Sequence, residues 1–260
     1  MIEASIPADE QQRLAALRAM QLLDTPPDPH IDALLRIAQR MFGVGSTLVM
    51  YGSARIPSTE DVEAMEKRAE SEPEDEAKVT RSLIGKAKYY QEAYNLARMV
   101  TEKAIIENGE RQFVVTTGGG PSIMEAGNRG ASDAGGESIG LNIVLPPEQA
   151  PNTYVTPYLS FQFHYFALRK MHFLLRAKAV AVFPGGFGTF DEFFELLTLI
   201  QTGKMKPMPI LLFGKDFWTR VIDFEALADE GTISRKDLDL FRWCEDAQEA
   251  WDHISAFYEL

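Results

Sequence analysis

The chain has 260 residues, a hydrophobic content of 45% and a formal net charge of -12 at pH 7. That length can bury one large core or two modest ones, and so acidic a balance argues against a face of clustered Lys and Arg that would hold nucleic acid. Cys244 is the single cysteine, which excludes an intrachain disulfide and a multi-thiolate zinc site, and no apolar run is long enough for a membrane span.

The N-terminus MIEASIPADEQQRLAALRAM is charged and helical in pattern, so neither export nor membrane insertion is expected; with a single cysteine a reducing cytoplasm is the expected setting, and no metal or cofactor is expected. Over residues 9–42, Leu14, Leu17, Leu34, Leu35, Ile37, Ala38 and Met41 recur at helical spacing around the breaker Asp24-Thr25-Pro26-Pro27, which predicts a helical hairpin. This text resembles the opening helices of many bacterial GAF sensor domains. The strands that complete such a domain do not follow, so residues 1–44 are expected to form an N-terminal helical extension with no sensing role implied.

STLVMYG at 46–52 is a short apolar run suited to a buried parallel strand. The stretch 57–76 is acidic and contains Pro73, which predicts a solvated loop or surface helix. A long helix is expected from about Leu83 to Glu107, with Asn108-Gly109 as its stop. Beyond it, RQFVVTT, PSIMEAGNRGASDAG, ESIGLNIVL, FALRKMHFLLRA, AVAVF, TFDEFFELLTLIQ, PILLF and KDFWTRVIDFEALAD alternate strand with helix. Such alternation predicts an α/β, Rossmann-like three-layer sandwich with a central parallel sheet over 45–260. Ligands in these sheets sit beyond the carboxyl ends of the strands.

Two glycine loops fall there. Thr116-Thr117-Gly118-Gly119-Gly120-Pro121-Ser122 follows a strand and opens a helix, with Pro121 placed for the first helical turn. Pro184-Gly185-Gly186-Phe187-Gly188-Thr189-Phe190-Asp191-Glu192 has the same setting after AVAVF. Glycine lets the backbone approach an anion, and helix N–H groups supply donors and partial positive charge. Neither loop completes a dinucleotide fingerprint, because Ile123 and Asp191 stand where the third glycine belongs, and no Gly-Lys-Ser/Thr completes a Walker A motif. A mononucleotide phosphate fits better, and a hydride-transferring dehydrogenase is disfavoured.

PGGFGTFDE matches the PGGxGTxxE signature and resembles the LOG family of cytokinin-activating phosphoribohydrolases and related nucleotide nucleosidases. YGSARIP, TTGGGPSIMEAGNRGA, GLNIVLPPEQAPN, FALRKMHF and LLTLIQTGK resemble the family in the same order. The resemblance implies that the chain hydrolyses the N-glycosidic bond of nucleoside 5′-monophosphates, of the AMP or cytokinin riboside type, as a homodimer. It makes Glu192 the catalytic carboxylate and Arg169 its partner. Gly185, Gly186, Gly188, Thr189, Gly118, Gly119, Gly120, Ser53 and Arg55 become substrate- or phosphate-binding positions, joined by Met124 and Lys170. Glycine often stands where this chain has Ser122, and the acidic insertion after Pro57 is a second departure.

Plainer readings compete. Thr189-Phe190-Asp191-Glu192 is also a T-x-x-E capping box. Arg169 and Lys170 can be solvated helix positions, and His164 and His172 read as packing or hydrogen-bonding groups. Tyr165, Phe161, Phe163 and Phe166 read as core. A non-catalytic nucleotide sensor would use the same loops and tolerate loss of Glu192. A pyridoxal-phosphate decarboxylase has no lysine in a recognisable Schiff-base setting. Glycosidase chemistry ordinarily uses two carboxylates; Asp191 and Glu125 are the candidates for the second. The helices expected around 85–107 and 190–201 are the candidate dimer interface.

Overall fold

The computed structural model describes residues 43–144 and 150–260; the helical hairpin expected over 9–42 lies outside the described residues. In chain order the strands are β1 (Thr47–Tyr51), β2 (Ile106–Glu107), β3 (Glu110–Arg111), β4 (Val114–Thr117), β5 (Ser138–Ile143), β6 (Ser160–Phe163), β7 (Ala177–Val182), β8 (Ile210–Phe213) and β9 (Arg242–Cys244). The helices are α1 (Val62–Ser71), α2 (Glu74–Ile84), α3 (Ala87–Glu102), α4 (Ile123–Asp133), α5 (Phe166–Leu174), α6 (Phe187–Gln201), α7 (Lys215–Val221), α8 (Phe224–Asp229) and α9 (Ala247–Tyr258).

Seven strands form one sheet in the order β6-β5-β4-β1-β7-β8-β9, and every pairing in it is parallel. The chain builds outward from β1 in one direction and then returns to build outward in the other. The strand order therefore reverses beside β1, and the loops leaving β1, β4 and β7 diverge around a crevice at their carboxyl ends.

The central strands are mostly apolar because helices cover both faces. Leu48 and Met50 of β1 and Ala179 and Ala181 of β7 join a core with Leu96 of α3, Ile123 of α4 and Trp251 of α9. Tyr51, one step out of phase with Met50, points to the opposite face. There its ring meets Phe173 of α5 edge-on at 5.1 Å, while Phe193 of α6 packs on Trp218 and Phe224. Each large side chain buried in these layers contributes about 1.5–3 kcal/mol.

The acidic stretch after Pro57 forms the surface helix α1 and continues, past Pro73, into α2. The long helix expected to Glu107 ends instead at Glu102. Asn108 and Gly109, with φ of 53° and 79°, form the turn of the β2–β3 hairpin. Paired positive φ angles are what a type I′ hairpin turn demands, so this dipeptide serves a hairpin and not a helix stop. KDFWTRVIDFEALAD forms two helices, because Asp223 caps α8 by accepting the Ala226 N–H at 2.9 Å. The short edge strands β6 and β9 complete the sheet. Phe161 and Phe163 are buried as expected, whereas Tyr165 and Phe166 are 60% and 49% exposed and build no core.

Candidate active site

The turn after β1 is pinned between the two glycine loops. Ser53 donates its N–H to the Pro184 carbonyl at 3.0 Å, and its own carbonyl accepts the Ile123 N–H at 3.4 Å. The Ser53 hydroxyl accepts the Arg55 N–H at 3.0 Å and so shapes the turn from within.

In the loop after β7, a Cβ on Gly185 would stand 2.2 Å from the Thr189 hydroxyl oxygen, so only glycine fits. Helix α6 begins at Phe187 with Gly186 as its cap residue and no side-chain cap. Thr189 and Glu192 therefore lie inside the helix, and the capping-box reading is overturned. The first N–H groups of α6 have no carbonyl partner within the helix and are available to an anion. In the loop after β4, Gly119 has φ of +70°, and a Cβ there would meet Asn142 Oδ1 at 2.2 Å. Pro121 precedes α4 and does not occupy its first turn; the cap residue is Ser122, at φ 65°, whose hydroxyl donates to the Ile56 carbonyl at 2.6 Å.

These loops enclose a cavity of about 550 Å³. Of the residues singled out in the sequence, Ser53, Arg55, Gly118, Met124, Arg169, Gly186, Gly188, Thr189 and Glu192 line it. Gly119, Gly120 and Gly185 shape the loops without lining the cavity. Lys170 does not line it either; its ammonium pairs with Asp191 at 3.0 Å and Glu195 at 3.1 Å. Tyr51, Phe173 and Phe187 line the cavity without having been singled out. Phe173 follows Arg169 by four residues, a helical spacing that placed it on the same face, and Phe187 sits within PGGFG.

Beside Arg55, the cavity's charged lining among the described residues is the Arg169–Glu192 pair. Helix α6 places Glu192 one turn beyond Gly188, and helix α5 brings Arg169 from the neighbouring layer. Arg169 Nη2 donates to Glu192 Oε1 at 2.6 Å, with both side chains 11% exposed. The guanidinium lies over the rings of Phe166 and Phe173, at 5.1 and 5.5 Å from their centroids. Those rings hold it in place and shield the pair from water. Burial pushes the Glu192 carboxyl up to about 7, and Arg169 opposes this shift only in part. The Tyr51 phenol is raised well above its ordinary range, first by burial and then by Glu192. Arg169 Nε is buried and has no hydrogen-bond partner among the described residues, so the guanidinium keeps a donor beyond the one given to Glu192. His172 Nδ1 lies 2.7 Å from the Leu168 carbonyl and its ring is 5.0 Å from Phe163, which is a packing role. Among the described residues, no group of three or more His, Cys, Asp and Glu is placed to hold a metal ion.

Comparison with known proteins agrees with this architecture. Over 153 residues the chain is 27% identical to the cytokinin riboside 5′-monophosphate phosphoribohydrolase of Arabidopsis thaliana, covering 57% of this chain and 67% of that protein. A structural-genomics target solved by X-ray crystallography has a TM-score of 0.50 at 17% identity, over 81% of this chain and 99% of that one. The molybdenum cofactor carrier protein of Chlamydomonas reinhardtii has a TM-score of 0.49 at 18% identity, over 83% and 99% of the two chains. At such identities the structural likeness concerns the fold alone. A family model described as "possible lysine decarboxylase" matches residues 124–254, half of the chain and the part that carries Met124, Arg169 and the loop of α6. The chain belongs to that family, the LOG family.

Proposed function

We propose that the protein is a nucleoside 5′-monophosphate phosphoribohydrolase, which adds water across the C1′–N bond to release a free base and ribose 5-phosphate. The observation that carries this reading is the Arg169–Glu192 pair at 2.6 Å, nearly excluded from water, on the wall of a cavity framed by two glycine loops. Cleavage of the bond builds positive charge on the ribose ring. The Glu192 carboxylate stabilises that charge and orients the water that attacks C1′, while the water's second proton goes to the departing base. A group poised near 7 holds or releases a proton readily at neutral pH. Arg169 keeps Glu192 in place and, from the cavity wall, presents its positive charge to the ribose or base.

Gly118–Gly120 and Gly185–Thr189, with Ser53 and Arg55, grip the 5′-phosphate. Binding energy gathered there, away from the reacting bond, holds C1′ against the carboxylate. Met124 lies against Gly118 and Gly120 and fills the space beside the sugar. In this reading Lys170 supports the site from outside, by holding α5 to α6 through Asp191 and Glu195. The protein acts as a homodimer, and the exposed apolar side chains Phe166, Met171, Leu175 and Phe187 give a second copy a surface to cover. No described helix is long and apolar enough to cross a membrane, which accords with the cytoplasmic location that its nucleotide substrate implies.

The test is incubation of the wild type and Glu192→Gln with AMP, CMP, GMP and isopentenyladenosine monophosphate, followed by chromatography for base and ribose 5-phosphate. Release by the wild type and loss in the variant support hydrolysis and name the base. Binding without release from any nucleotide refutes hydrolysis in favour of a nucleotide sensor. Light scattering that finds only monomer at micromolar concentration refutes the dimer.

A further inference from the structure

Behind the loop after β4 runs a closed chain of polar groups. The Gly119 N–H donates to Thr117 Oγ1 at 2.9 Å, and the Thr117 hydroxyl donates to Asn128 Oδ1 at 2.7 Å. The same Asn128 oxygen accepts from Asn152 Nδ2 at 2.9 Å, and Asn152 Nδ2 also donates to the Gly120 carbonyl at 2.9 Å. The backbone N–H of Asn152 donates to the Gly119 carbonyl at 2.8 Å. Asn128 and Thr117 are wholly buried, and the spare Asn128 amide donates to Ser138 Oγ at 2.9 Å.

Both ends of this chain are backbone groups of fixed polarity, so its direction is set throughout. Only an amide nitrogen can face the Gly120 carbonyl and Asn128 Oδ1 together, since both are acceptors. Asn152 thus ties up two successive carbonyls of the glycine loop. With those carbonyls engaged and the Gly119 N–H held by Thr117, the loop has the Gly120 N–H left to offer a ligand, and N–H groups attract anions. Across a trans peptide the C=O and the following N–H point in opposite directions. With the Gly119 carbonyl held by Asn152, the Gly120 N–H is therefore turned away from it.

We propose that Asn152, acting through Asn128 and Thr117, is a positioning residue that fixes the polarity of the Gly118–Gly120 loop and so makes it a receptor for a phosphate group. This rests on the reading of that loop as a phosphate site, and it does not depend on catalysis. Asn152 lies outside both glycine motifs, and the tertiary fold alone brings it to them.

Binding of ribose 5-phosphate and AMP, followed by calorimetry, provides the test, together with thermal unfolding. Asn152→Ala and Asn152→Asp are expected to weaken ribose 5-phosphate binding at least ten-fold, the aspartate more strongly because it sets a third acceptor against two. Thr117→Val, which removes the acceptor for the Gly119 N–H, weakens binding similarly, and Thr117→Ser, which keeps it, binds like wild type. Variants that unfold at lower temperature yet bind with wild-type affinity overturn the proposal and leave the network a merely structural role. Equal binding by Thr117→Val and Thr117→Ser also overturns it, and that pair decides the matter if the Asn152 variants fail to fold. Wild type that binds these ligands without releasing base refutes hydrolysis and leaves this inference standing. Wild type that binds neither refutes both.

Discussion

The difference in stability between Glu192→Gln and the wild type should shift in the variant's favour as the pH rises. In the folded chain burial lifts the Glu192 carboxyl from its ordinary 4.5 to about 7. The folded state thus holds a proton that the unfolded state has released, and stability from this group is lost as the pH rises from the lower value through the higher. Glutamine resembles the protonated acid in shape and charge and carries no such loss. Proton linkage between those two values makes the variant gain about 2.5 kcal/mol on the wild type between pH 5 and pH 8, with most of the change complete by pH 7. Urea unfolding of both proteins at one fixed concentration, at several pH values across that range, measures the divergence. A difference that stays flat to within about 0.5 kcal/mol, the uncertainty of such extrapolations, would refute the claim that burial outweighs Arg169 at this carboxyl. A divergence of opposite sign would mean that the pair stabilises the folded chain.

Other perturbations probe the same frame. Arg169→Met leaves a buried carboxylate without its cation and should cost about 3–5 kcal/mol at pH 8; adding Glu192→Gln should recover most of that loss in urea unfolding. Gly119→Ala, at φ +70° and against Asn142, should destabilise by about 1–3 kcal/mol, and unchanged stability would contradict the loop geometry. If base release requires ionised Glu192, kcat/KM should fall as the pH drops below about 7, and a flat profile from pH 5 to 8 would remove Glu192 from the reaction. Cys244 is buried and its thiol is pushed up to about 12 by burial, so thiol reagents should label it only in denaturant, and rapid labelling of the native protein would show that β9 opens.

Much of this protein is legible in the order of its residues. Alternating apolar strands and amphipathic helices predict a parallel sheet, because parallel neighbours need a crossover connection and a helix supplies it. Glycines after AVAVF and FVVTT mark where its carboxyl ends approach a ligand. Local patterns misled where two structures share one signal: Asn108-Gly109 ends helices and turns hairpins, and Thr189-Phe190-Asp191-Glu192 caps helices or lies within them. Tyr165 and Phe166 look like core by type, yet the course of α5 leaves them exposed.

By itself the sequence determined the fold class and the two glycine loops, since these depend on periodicity and on residue types at close spacing, while the resemblance to the LOG family singled out Glu192 as the carboxylate and Arg169 as its cationic partner. The tertiary structure alone decided which charges meet. Arg169 and Lys170 are adjacent in sequence, but the turn of α5 sends one to Glu192 inside the cavity and the other to Asp191 and Glu195 outside it. It also decided the proton affinity of Glu192, because burial is a property of the packed layers, and it brought Asn152 to the loop of Gly119 and Gly120. Helix and strand arise from neighbours along the chain, whereas electrostatic character arises from neighbours in space.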